Sequence, residues 1–165
     1  MESLSTLKTE QKQLREGHKL LKGGSKYDDV PAEELLALPV EVVIALLRNA
    51  SKSGNVATVK EIEPDNSIID TADSAGRSPL HLACAAGHSG VAAALMGRGA
   101  NVDAIDKEGC TPLHLACMGD HALTVRMLLK HGANTTIADT DGLRPADVAG
   151  PSAMSALPAD SDSRT

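Results

Sequence analysis

Apolar residues in this chain come in short blocks, each closed by a glycine or a polar bend, rather than in one long stripe. Two of the blocks open on a proline preceded by a hydroxyl residue, Ser78-Pro79 and Thr111-Pro112. A side-chain oxygen there can cap a helix, and proline at the first helical position gives up an N–H that would have no partner anyway. The pattern predicts a short helix after each, with Leu80, Leu82, Ala83 and Ala86 lining the first. The runs "VAAALMGR" and "TVRMLLKH" follow and end at Gly99 and Gly132, residues able to take the positive φ of a helix stop. Two antiparallel helices and a turn thus recur.

The recurrence is strict. Asp73, Asp106 and Asp139 lie 33 residues apart, and Gly76, Gly109 and Gly142 and then Pro79, Pro112 and Pro145 keep the same interval. Leu80 pairs with Leu113, His81 with His114, Ala83 with Ala116, Cys84 with Cys117, His88 with His121 and Gly99 with Gly132. Upstream, "LPVEVVIALLRNASKSGNVATVKEI" keeps Leu47, Ala50 and Gly54 in register but lacks the Asp-Gly turn and the Thr-Pro start. It reads as a degenerate first repeat serving as a cap, which a repeat stack needs at its end. Downstream, "DTDGLRPADVAG" opens a further repeat with Asp147 where the others have His, then stops at Gly150-Pro151. Nearer the start, Leu4, Leu7, Gln11, Leu14, His18 and Leu21 alternate by three and four, a narrow helical seam with polar interruptions.

This yields a division into an N-terminal helix over 1–26 that is a possible docking segment, and a helical cap with a degenerate repeat over 27–72. Full repeats follow over 73–105 and 106–138, then a truncated one over 139–150 with its first helix only, and a flexible tail over 151–165.

Composition sharpens this picture. With no Trp, no Phe and one Tyr, the interior of this 165-residue chain must be filled by Leu, Val, Ile, Ala and Met, which suits many small, closely spaced helices. A net charge of −6 and the dearth of aromatics leave neither a cationic field for phosphate nor a platform for bases, so nucleic acid is not expected as a partner. No apolar stretch reaches the roughly 18 residues of a membrane span, and no secretory apolar region precedes the repeats, so no membrane insertion is expected. Three cysteines, odd in number and not spaced as a framework, suit a reducing compartment, and a soluble intracellular, most simply cytoplasmic, protein is expected.

The segments "SPLHLACAAGH" and "TPLHLACMGDH", the "GAN" endings and the period together resemble the ankyrin repeat family, over residues 73–138 most closely. The resemblance implies an all-α solenoid of about three to four helix-turn-helix repeats with an N-terminal helical extension. It further implies that His81 and His114 bond turn backbone, that His88 and His121 sit at the inter-helix bend, and that partners are other proteins, held on the concave face. On this sequence that face would comprise Arg77, Ala85, Lys107, Glu108, Cys110, Met118, Asp141, Leu143 and Arg144. Met118, Leu143 and Cys110 stand there as apolar residues that the fold does not need. The N-terminal seam is a second possible docking element.

Two other chemistries are conceivable for these residues. Each repeat offers a His, a Cys three residues on and a second His four residues further, on paper the ligands of a metal or redox sensor: His81, Cys84 and His88, then His114, Cys117 and His121. Zinc needs a fourth ligand and inward convergence, so an architectural role is favoured and no metal or cofactor is expected. Catalysis is not expected either: the chain has no phosphate-cradling glycine loop and no nucleophile elbow, and Asp73, Asp106 and Asp139 are explained as turn residues. Asp120, where the preceding repeat has Gly87, implies either a reshaped bend or a strained residue.

Overall fold

The computed structural model describes residues 39–62 and 68–158; the expected N-terminal helix over 1–26 lies outside them. Among the described residues there are seven helices and no strands: α1 (Val40–Ser53), α2 (Val56–Glu61), α3 (Pro79–Ala85), α4 (Ser89–Gly97), α5 (Pro112–Met118), α6 (Ala122–Lys130) and α7 (Pro151–Met154). They pair as α1–α2, α3–α4 and α5–α6, with α1, α3 and α5 stacked in an inner row and α2, α4 and α6 in an outer one. Between the pairs, turns opening on Asp73, Asp106 and Asp139 project as fingers, each closed by a bond from the Gly N–H to the Asp carbonyl, 2.9 to 3.1 Å long. Gly76 and Gly109 sit at φ +81° and +75° there, and a side chain on either would meet the backbone of the next finger, so glycine is required twice over.

The core is aliphatic, as the composition demands. Leu46, Leu47, Leu80, Leu113, Val91, Leu95, Val125 and Leu128 are buried, with Ala50, Ala83 and Ala116 between them where the inner helices approach closely. Cys84 and Cys117 join them as small apolar residues. The inward set is narrower than the pattern suggests, because Leu82 is only half-buried and Ala86 is exposed.

The outer row shows a periodicity of its own. Thr58, Val91 and Thr124 occupy one register position and all are buried, yet the hydroxyls of Thr58 and Thr124 have no hydrogen-bond partner among the described residues. A buried hydroxyl without a partner costs about 1–3 kcal/mol, and the middle repeat fills the place with an isosteric valine. Thr124→Val is therefore expected to raise stability by about 1 kcal/mol in urea denaturation, and an unchanged or lower midpoint would mean the hydroxyl is satisfied.

The C-terminal end departs from expectation. Residues 145–148 form a turn, not the first helix of a truncated repeat, and the segment assigned to a flexible tail contains α7, whose Ala153 is fully buried. Asp120 helps to hold α7. It adopts the left-handed conformation, φ 56°, and its carboxylate accepts from the Ala153 N–H at 2.7 Å, capping α7 from another repeat. That bond, before the opposing effect of desolvation, holds its pKa below the usual 3.8. Cap strength is present above pH 3.8 and lost as pH falls through the lowered value. Asp120→Ala is expected to speed hydrogen exchange of the Ala153 amide while leaving α3–α6 protected; equal exchange would remove Asp120 as the cap.

Candidate functional site

The His positions explain how the fingers are fixed. In His81, Nδ1 accepts from the Ser78 N–H at 3.1 Å and lies 2.9 Å from the Ser78 hydroxyl, so Nε2 holds the proton and donates to the Cys110 carbonyl at 3.1 Å. His114 repeats this with the Thr111 N–H at 3.0 Å, the Thr111 hydroxyl at 2.9 Å and the Leu143 carbonyl at 3.1 Å. Each histidine thus completes a capping box for its own helix and ties the next finger down.

The same register position is Arg48 in the first repeat and Asp147 in the last. The Arg48 guanidinium donates to the carbonyls of Thr71 and, in a short contact, Ala72, doing for the first finger what His81 does for the second. Asp147 accepts from the Arg144 N–H at 2.8 Å, keeping the capping half of the role but having no proton for a further finger. At the bends, His88 Nε2 reaches the Lys52 carbonyl at 3.1 Å and His121 Nε2 the Ala85 carbonyl at 3.2 Å.

Burial lowers the His81 pKa from 6.5, opposed in part by the bond to the Cys110 carbonyl. The folded chain therefore binds this proton less readily than the unfolded one, so stability is full above pH 6.5 and falls as pH drops toward the lowered value. Denaturation at pH 7.5 and at pH 5.5, above the carboxylate range, is expected to show a loss that His81→Gln diminishes; an undiminished loss would assign it to another group.

These bonds weigh against metal or redox sensing. The ring nitrogens of His81 and His114 are committed to backbone and hydroxyl groups. Burial raises the Cys84 thiol far above its usual range and pushes Cys117 up to about 11, so both stay protonated and buried. Elsewhere, ligand atoms of Asp106, Glu108 and Cys110 lie within 4.8 Å of one another. Asp106 Oδ1 is already taken by the Glu108 and Cys110 N–H groups, both at 2.9 Å. Burial, then the carboxylates of Asp106, Asp139, Glu108 and Asp141, push the Cys110 thiol up to about 11.

The nine residues expected on the concave face fare differently. Fingers stack through Lys107 N–H to Ala75 carbonyl and Thr140 N–H to Glu108 carbonyl, both 3.0 Å, which sets Lys107, Glu108 and Asp141 in adjacent exposed tips. The His114–Leu143 bond seats the last finger on the first turn of α5, and Met118, four residues on from His114, continues that helix face. Met118 is 60% exposed and Leu143 41%. Ala85, the counterpart of Met118 in α3, is exposed as expected.

Three residues need correction. Cys110 is 5% exposed: its N–H is held by Asp106 and its carbonyl by His81, which turns the side chain beneath the finger, out of a partner's reach. Arg77 is not a free donor, because its guanidinium grips Asp73 with bonds of 3.1 and 3.0 Å. Burial presses the Asp73 carboxyl upward, but the Arg77 N–H and guanidinium outweigh it and hold its pKa down. Arg144 is exposed yet paired with Asp147 at 3.6 Å. Beside these fingers the sequence reading lacks Ile105, 62% exposed, directly before the finger-opening Asp106. Its β-branched side chain between Ala104 and Asp106 was the available signal.

The model of ankyrin repeats, in three copies, matches residues 46–139, and the chain belongs to the ankyrin repeat family. Its repeats are of the kind that serve as protein-interaction modules. No curated protein matches the chain. Among the described residues, no helix is long and apolar enough to cross a membrane.

Proposed function

We propose that the chain is a non-catalytic adaptor that binds another protein through the concave face of its repeats, with Met118 and Leu143 as an apolar centre and Lys107, Glu108 and Asp141 as its rim. The observation that carries this reading is the exposure of Met118, Leu143 and Ile105 beside a core that buries Leu46, Leu47, Leu80 and Leu113 of the inner helices. An apolar centre inside a polar rim is the arrangement that concentrates binding energy. Three free thiols fit an intracellular setting, and the acidic balance speaks against nucleic acid. A second reading, an accessory subunit of a larger assembly, draws on Leu123 and Met154, exposed near the C-terminal end of the stack. Sedimentation of the isolated chain separates the two: an adaptor is monomeric alone, a subunit self-associates. The function is tested by affinity purification from native cells with the unaltered chain and with Met118→Ser/Leu143→Ser. A protein recovered with the first and lost with the second supports the reading, and equal recovery contradicts it.

A further inference from the structure

Resting on that concave-face reading, we propose that the segment bound there is cationic and amphipathic: a protein stretch that sets apolar side chains over Met118 and Leu143 and directs lysines or arginines at Glu108 and Asp141.

The apolar part follows from helix register and one bond between finger and helix. The bond from His114 to the Leu143 carbonyl brings the last finger against α5, and Met118 emerges one turn further along the same helix face. Ile105 adds a third exposed aliphatic group at the base of the middle finger.

Charge decides between possible occupants. The middle and last fingers present Asp106, Glu108, Asp139 and Asp141 against Lys107 and Arg144. Arg144 is already engaged by Asp147, leaving Lys107 as the cation of these fingers with no ion pair among the described residues. Asp106 and Asp139 spend one oxygen each on the N–H groups of their own turns. The carboxylates of Glu108 and Asp141 make no hydrogen bond or ion pair among the described residues, and both are exposed. The bond from Thr140 N–H to the Glu108 carbonyl makes their fingers neighbours, so their charges add over one small area. Burial first, and then all four carboxylates, push up the pKa of the Cys110 thiol beneath them. An acidic segment would meet repulsion here and a neutral one would leave the field unanswered, whereas a basic one is both steered in and paired.

The test is selection from a displayed library of random linear peptides, panned against the full chain, against Glu108→Lys/Asp141→Lys and against Met118→Ser/Leu143→Ser. None of these four side chains is buried, so circular dichroism should show all three proteins equally folded. Peptides selected on the unaltered chain are expected to combine Lys or Arg with Leu, Ile, Met or Phe. They should lose about tenfold or more in affinity on the charge-reversed protein, and weaken with added salt. Peptides that depend on Met118 and Leu143 but are neutral or acidic, or are indifferent to charge reversal, would overturn the cationic partner and leave the concave-face reading standing. Peptides indifferent to Met118 and Leu143, or no enrichment at all, would overturn both.

Discussion

Leu113→Ala is expected to lower the stability of the chain by roughly 2–5 kcal/mol, the range for emptying a fully buried leucine site that cannot collapse. Leu113 lies on α5, the third of the stacked inner helices, with no accessible surface of its own. Its surroundings contain no Trp or Phe that could swing into the gap, because the chain has none. In a quasi-linear stack each repeat leans on its neighbours, so the loss spreads to α3–α4 on one side and to the last finger and α7 on the other. Urea denaturation measures it. Leu123→Ala is the internal control: Leu123 is exposed, and its truncation should cost less than about 0.5 kcal/mol. Equal effects at the two positions would mean that the inner row is not the core.

Much of this architecture was legible from spacing alone. A residue that recurs every 33 positions with the same chemistry, such as Leu80 and Leu113 or Gly76 and Gly109, meets the same neighbours in each repeat, so the period reports the packing directly. Where chemistry changes at a conserved register, the period is silent. Arg48 does part of the work of His81 through a longer side chain and does not announce itself as a counterpart, and Asp147, whose register was legible, does not reveal that it keeps only the capping half. The helix α7 was hidden for a different reason. Four residues, Pro151–Met154, have no intrinsic claim to helical structure, and what holds them is a tertiary cap from Asp120, 33 residues before Ala153.

At the candidate site, exposure was the part that sequence could not supply. Register assigned Cys110 and Leu143 to equivalent positions of successive fingers, yet one is covered and the other open. Cys110 is followed by another finger, whose Asp139 and Thr140 lie against Gly109, whereas Leu143 belongs to the last finger among the described residues, and a side chain on its neighbour Gly142 would meet none of them. The pairing of Arg77 and Arg144 was hidden because Asp73 is explained as a turn residue and Asp147 as the stand-in for a His.

The second large effect concerns binding. Met118→Ser and Leu143→Ser should each weaken binding to the protein that co-purifies with the chain by about 1–2 kcal/mol or more, as expected for residues at the centre of an interface. The fold should be nearly unaffected, since Met118 is 60% and Leu143 41% exposed and neither belongs to the core. Changes at the rim, such as Lys107→Ala, should act mainly on association rate and salt dependence.

The central claim, that the concave face rather than the N-terminal seam is the binding element, is tested most directly by titrating the purified partner against three proteins. These are the unaltered chain, Met118→Ser/Leu143→Ser, and a deletion of residues 1–24 that removes Leu4, Leu7, Leu14 and Leu21. The account predicts that the double substitution abolishes or severely weakens binding while the deletion leaves affinity within about a factor of three, under 1 kcal/mol. Undiminished affinity in the double variant with binding abolished by the deletion would contradict it, and would make the repeats a spacer for the N-terminal segment.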